Sequence, residues 1–416
     1  MKNIFLIIFS FLSINSIATD WEYYKVPPLR HSLGISSTYF FESDAITNRF
    51  ALAYFRNEFL DNKKKDAVSN ELSKLNHFGA GFINEIKYSK YNDTIFNLAH
   101  SFYSISIRDI YHLNCKFSKD AFELFFRGNK AYAGKNALLS DFIFNQIIYR
   151  QVNFTFGHEY KFDKDKFGFQ AGLSLNFGRQ LYRITSPKAT LYTDINGEYL
   201  DLNADISIHR SDSSNNELSS LNGFGFSGDF SFFWKNERNN KLSISVENFG
   251  YIRWNNQSSF THTDTTFRFE GIDISDVFLL KDSIHKTISL DSSLVEPYLT
   301  DKEKKNFSYN LPAMFKLTYR YILKPEKLDL EGEISYFSNT ESSPQESLSL
   351  GYSFLKNQRF ALKGTYGGFT GFRMGINCEF LILKRWMLTL QSDQLSGMFK
   401  SDGNAQGAFL SLSAYF

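Results

Sequence analysis

From residue 142 to 416 the chain repeatedly alternates apolar and polar residues one for one, and this period of two restricts such segments to extended strands with one apolar face. In 167–177, Phe167, Phe169, Ala171, Leu173, Leu175 and Phe177 alternate with Gly168, Gln170, Gly172, Ser174 and Asn176. The same pattern holds over 200–208 and 347–354, and recurs in 224–234, 242–247, 313–321, 330–336, 360–366, 372–380 and 386–391. Each segment has roughly the length of a tilted strand crossing a bilayer, about 9 to 11 residues. The apolar faces are rich in Phe and Tyr, whereas the polar faces mix Asp, Glu, Asn, Arg and Lys with Gly and Ser. A water-filled or hydrogen-bonded lumen suits that polar set, and closing the sheet pairs every backbone group that would otherwise meet lipid. A soluble sandwich also alternates, but its outer faces are not usually so rich in Gly and Ser.

The stretch GAFLSLSAYF (407–416) continues the pattern, with Ala408, Leu410, Leu412, Ala414 and Phe416 on one face. It reads as a closing strand, with Phe416 as an assembly signal. Charged turns at 162–166, 235–241, 323–327 and 355–359 alternate with longer polar loops at 209–222, 338–346 and 395–405. Short turns on one side and long loops on the other are what an outer-membrane barrel presents. Counting back from Phe416 keeps the short turns on one side if Asn196-Gly197 forms a tight hairpin.

No run of eighteen apolar residues follows the first 20, so a helical membrane protein is excluded. The opening MKNIFLIIFSFLSINSIATD reads as a signal peptide, residues 1–18, cleaved near Ala18. The expected organisation is therefore a signal peptide, an N-terminal periplasmic or lumen-plugging segment at 19–77, and a barrel at 78–416. The fold class is all-β, a transmembrane antiparallel β-barrel of about 14 strands (12–16) with a small N-terminal plug-like segment. Two passages break the rhythm. Residues 118–129 read as a short helix opened by Ser118 and closed by Gly128, and 255–311 reads as a long loop with an amphipathic stretch at 274–288.

The net charge of +2 gives no reason to expect nucleic acid as a partner. Two cysteines, Cys115 and Cys378, make no disulfide framework, and Cys378 reads as an apolar filler. The eight histidines form no metal motif, so no metal and no cofactor is expected. No nucleophile motif accompanies His100, His112, His158 and His209, so no enzyme is expected. The candidate lumen-lining residues are Asp201, Asp205, Asp229, Glu247, Lys316, Arg320, Glu331, Glu333, Lys363, Arg373 and Glu379. Their mixed signs argue against a strongly ion-selective pore.

The stretches FFRGNKAYAGKNALLSDFIFNQIIYRQVNFTFGHEY (125–160) and VENFGYIRWNNQSSFTHTDTTFRFEGIDISD (246–276) resemble an uncharacterised family of Gram-negative outer-membrane β-barrels. That family is known only as a domain of unknown function, and is similar in type to FadL-like and PorP/SprF/PorV-like barrels. Gly128-Asn129, Tyr132 to Lys135, Tyr149-Arg150, Asn248 to Gly250, Ile252 to Trp254, Phe269, Gly271 and Leu311 to Ala313 carry the resemblance. It implies an outer-membrane location and two roles: a transport-type conduit for small or hydrophobic molecules, with Phe233 and Met314 as apolar lining, or a non-conducting partner of a secretion or surface-attachment complex. The expected partners are outer-membrane lipid, the barrel-assembly machinery and, for the second role, a secretion-system or surface protein docking on 255–311.

Overall fold

The computed structural model describes residues 31–95, 98–215, 217, 219–270, 302–395, 397 and 402–416. Nineteen strands form one sheet, and fourteen of them close into an antiparallel barrel. In chain order the first strands are β1 (His31–Ser43), β2 (Leu75–Ile95), β3 (Leu98–Ser118), β4 (Lys135–Leu138), β5 (Phe142–Phe162), β6 (Asp165–Thr193), β7 (Leu200–Arg210), β8 (Gly223–Lys235) and β9 (Lys241–Trp254). Then come β10 (Ser259–Phe269), β11 (Lys302–Lys304), β12 (Phe307–Asn310), β13 (Met314–Lys324), β14 (Leu328–Phe337), β15 (Gln345–Leu355), β16 (Gln358–Gly367), β17 (Thr370–Ile382), β18 (Trp386–Ser392) and β19 (Ala405–Tyr415). The barrel consists of β1–β3, β5, β6, β8, β9 and β13–β19, closed where β1 pairs with β19 and β2. At that seam His31 and Phe416 exchange both backbone hydrogen bonds at 3.0 Å.

The alternation sorts side chains between two media. On β13, Phe315, Leu317, Tyr319 and Tyr321 stand exposed outside, while Lys316 and Arg320 point into the lumen. Ile105 and Ile107 on β3, Leu348, Leu350 and Tyr352 on β15, and Phe372 and Met374 on β17 extend the exposed apolar belt around the wall. So broad a contiguous apolar surface is stable against lipid and not against water. Asp109 and Arg150, half-exposed and 2.8 Å apart, mark the edge of the belt on β3 and β5. The connections after β5, β8, β13, β15 and β17 lie at the end where Phe416 sits; the other end carries the long connections and the tight turn from β16 into β17.

Two boundaries read from sequence are corrected. The barrel begins at His31, not at 78, because β1 lies within the segment assigned to a periplasmic or plugging piece. The rest of that segment forms helices α1 (Asn48–Phe55) and α2 (Asn62–Ser69), capped by the side chains of Thr47 and Asp61. Phe50 and Val68 of these helices pack with Phe122 against Cys115 and Phe117. Since Ile105 and Ile107 face outward and β3 has no bulge, Cys115 and Phe117 face outward too, so the helices lie on the outer wall at the long-loop end and fill no lumen. The predicted helix after Ser118 is α3 (Lys119–Arg127); the Ser118 hydroxyl accepts from Ala121 N–H, and Gly128, at φ 82°, ends it.

The second correction concerns 200–208, which alternates as strictly as any barrel strand. Here it forms part of β7, which pairs with the far end of β6 and with β10 in a ribbon that continues past the wall. The hairpin at Asn196-Gly197 forms at the tip of this ribbon, with Gly197 at φ 78°. Most of the described residues of 255–311 belong to the sheet, β10 and β11 in the ribbon and β12 on β9. The signal peptide and the 274–288 stretch lie outside the described residues. Cys115 is buried, Cys378 is half-buried, and both are free thiols.

Candidate functional site: the lumen

One side of the lumen is a ladder of ion pairs. Arg320 reaches Glu331 at 2.7 Å, and Arg359 reaches Asp329 at 2.6 Å and Glu379 at 3.3 Å. Lys363 lies 3.2 Å from Asp393 and 3.8 Å from Glu333, which Lys316 approaches at 3.8 Å from the other side. Arg373 meets Glu42 at 3.4 Å and donates to the carbonyl of Gly367 at 2.7 Å. Small inward residues on β15, Ser347, Ser349, Gly351 and Ser353, let side chains of β14 and β16 meet across it. A Cβ at Gly351 would stand 2.5 Å from a guanidinium nitrogen of Arg359 and 2.7 Å from an oxygen of Asp329, so only glycine leaves room for the bidentate pair.

The facing side is a hydrogen-bonded network with a second ion pair. Arg108 donates to Glu85 at 2.7 Å and to Gln151 at 3.2 Å. Gln151, fully buried, donates in turn to Asn176 and Asn248, and Asn153 donates to Ser174 and Asp229 at 2.8 Å each. Asn248 occupies the left-handed region at φ 59°, which asparagine tolerates, and its backbone N–H donates to Asp229 at 2.7 Å. Satisfied networks of this kind rigidify an interior at little net cost.

Toward the long-loop end the lumen turns apolar. Ile110, Ile147, Tyr149, Leu181, Ile252, Trp254 and Leu311 form a buried cluster, joined by Ile83, Phe307 and Tyr309. Trp254 and Ile252 lie against Gly178 and Gly223, where a Cβ would come within 2.7 to 3.1 Å of them. Below the cluster is a cavity of ≈ 150 Å³, whose lining includes Ser32, Glu85, Lys87, Arg108, Glu247 and Ser413. Among the described residues, neither Oε1 of Glu247 nor the indole N–H of Trp254, both buried, has a hydrogen-bond partner.

Of the predicted residues, Asp229, Glu247, Lys316, Arg320, Glu331, Glu333, Lys363, Arg373 and Glu379 therefore face the lumen. Asp201 and Asp205 do not: in the ribbon Asp201 holds Arg268 at 2.7 Å, and Asp205 lies 3.7 Å from His262. Met314 is buried on the lumen face, and Phe233 lies on that face at the short-turn end under the ammonium of Lys241. Sequence reading missed Glu85, Arg108, Gln151, Asp329, Arg359 and Asp393. Asp329 and Arg359 stand one residue, and Asp393 two residues, outside the segments read as strands. For catalysis, Ser207 and Asp205 approach the same Nδ1 of His262, so the ring cannot relay a proton between them. No group of metal-ligating side chains occurs among the described residues.

A closed 14-strand wall with a lipid-facing apolar belt and a polar, ion-paired lumen defines an outer-membrane β-barrel. Within that class, the chain belongs to the family of unknown function DUF5723, whose sequence pattern matches residues 23–389. No curated protein matches the sequence. Among solved structures the fold is similar to the P. putida toluene transporter TodX, at 9% identity and a TM-score of 0.43, covering 96% of this chain and 93% of that one. A deltaS2S3 mutant of the TodX monoaromatic hydrocarbon channel gives 8% and 0.46, covering 94% and 91%. A Pseudomonas aeruginosa FadL homologue gives 8% and 0.40, covering 93% and 90%.

Proposed function

We propose that the protein is a transport-type barrel with a closed resting lumen, a conduit for small molecules that carry an apolar body. The observation behind this reading is the order of environments along the lumen: a polar cavity on the Phe416 side, then an apolar constriction built of wall side chains and Leu311. Hydrophobic constrictions gate by excluding water, and a solute with an apolar body wets such a passage where an ion does not. The unpartnered Trp254 N–H and Glu247 oxygen are polar points that a passing solute can satisfy.

The test is permeation in proteoliposomes, measured with benzyl alcohol as probe and potassium conductance as the control. Wild type should pass the probe with little ion current. Trp254→Ala with Leu311→Ala should raise both. If neither species passes in either form while the barrel stays heat-modifiable, the reading fails and the alternative gains. That alternative is a non-conducting partner of a secretion or surface-attachment complex, favoured by the β6, β7 and β10 ribbon that stands past the wall.

A further inference from the structure

We infer that the lumen cavity is a binding site for a small primary amine, its ammonium on Glu247 and its carbon body on Ile83, Ile110, Met387 and Phe409. The inference deepens the conduit reading and rests on it for biological meaning, but not for the chemistry of the site. Four charged side chains line the cavity: Glu85, Lys87, Arg108 and Glu247. Two are committed to each other, since Arg108 donates to Glu85 at 2.7 Å and spends a second N–H on Gln151. Glu247 differs. Its residue is only 5% exposed, and its Oε1 lacks a hydrogen-bond partner among the described residues. A buried carboxylate oxygen without a donor is costly, and a ligand that supplies one recovers that cost.

The position of the charges selects the sign. Lys87 lies one inward step closer to the Phe416 end than Glu85: Lys87 pairs with Gly34, which pairs with Ser413, while Glu85 pairs with Ser36, which pairs with Ser411. Glu247 stands across the lumen beside Asn248, which hydrogen-bonds Gln151 at the level of Arg108. Beyond the Arg108–Glu85 pair, the remaining acidic side chain, Glu247, therefore lies deep and the remaining basic one, Lys87, lies near the mouth. The size also fits: ≈ 150 Å³ matches cavities that take one benzene ring. Hydroxyls of Ser36 and Ser411, at the level of Glu85, can accept remaining ammonium protons.

The experiment is equilibrium dialysis of the full chain, folded in detergent micelles, against benzylamine, benzyl alcohol and benzoate at neutral pH. Benzylamine should bind most tightly. Glu247→Gln should weaken it by about ten- to a hundredfold, the value of a lost charge-assisted hydrogen bond, and change benzyl alcohol much less. Lys87→Gln, which removes a like charge from the mouth, should tighten benzylamine and not weaken it. Phe409→Trp, which fills the cavity without touching its charges, should abolish binding and stands in if Glu247→Gln fails to fold. Preferred binding of benzoate, benzylamine binding indifferent to Glu247→Gln, or no binding by any probe overturns the assignment. Permeation separates the two readings: Glu247-dependent benzylamine binding in a barrel that passes no probe sinks the conduit and keeps the site.

Discussion

Replacing Arg359 by Met tests whether the lumen ladder holds the wall together. Arg359 and Asp329 are the most buried pair of the ladder, with side chains 5% and 1% exposed, joined by hydrogen bonds of 2.6 and 3.1 Å. Removing Arg359 leaves Asp329, Glu331 and Glu379 with Arg320 as the remaining cation of this group, 2.7 Å from Glu331 and 3.9 Å from Asp329. Stranding a buried charge in this way costs about 3 to 5 kcal/mol. That is a large share of the roughly 5 to 15 kcal/mol typical of a folded protein. Asp329→Asn should cost less, because Arg359 keeps Glu379 at 3.3 Å. The double variant should be more stable than the sum of the single losses by at least about 1 kcal/mol, the coupling expected of direct partners. Urea unfolding in phospholipid vesicles, followed by tryptophan fluorescence and gel mobility, measures all four proteins. An Arg359→Met loss below about 1 kcal/mol, or strict additivity, would show that the ladder does not hold the wall together.

Two further perturbations address the seam and the ribbon. Deleting Phe416 removes its two backbone hydrogen bonds to His31 and the ring stacked on His31 at 5.7 Å, about 2 to 3 kcal/mol together, and should lower the heat-modifiable folded fraction. An unchanged gel pattern would exclude a role for that contact. In the ribbon, burial between Phe260 and Phe307, with Arg183 and Lys305 nearby, holds the His209 imidazole below its ordinary value. A depressed imidazole binds fewer protons folded than unfolded, so its contribution is complete above about pH 6.5 and fades as pH falls below that. Hydrogen exchange over 200–210 and 259–269 should quicken at pH 5 relative to a neutral buffer after intrinsic rates are removed, and His209→Asn should flatten the difference; equal pH dependence in the variant would exclude His209.

Strict alternation made the barrel legible, because lipid outside and a polar lumen inside leave each strand little freedom in which face it shows. What alternation cannot report is the medium. Leu200 to Ile208 alternates as cleanly as Phe167 to Phe177, yet its Asp201 meets Arg268 in the ribbon. The first strand was obscured for the opposite reason. Leu33 and Ile35 face the lipid, but higher up Phe40 faces the lumen against His112 while Phe41 faces outward against Phe78, so adjacent aromatics mask the period. Of the lumen residues, those flanked by regular apolar neighbours, such as Lys316 and Glu331, were readable. Arg359 was not, since Lys-Asn-Gln-Arg reads as a turn until β16 is seen to start at Gln358. Gly351 was likewise invisible as a spacer, because its role appears only when Asp329 of β14 and Arg359 of β16 are seen to meet across it.

The seam between β1 and β19 also sets a schedule. β1 finds β2 on one side as soon as that strand exists, but its other side waits for a partner drawn from the far end of the sequence. During that interval the earliest strand presents a free edge, the form of β-structure most prone to recruit a stranger. Closing so distant a pair is slow in any chain dominated by non-local pairings. The protein thus spends its vulnerable period as an open sheet whose free edge is correctly met only by the last strand to arrive.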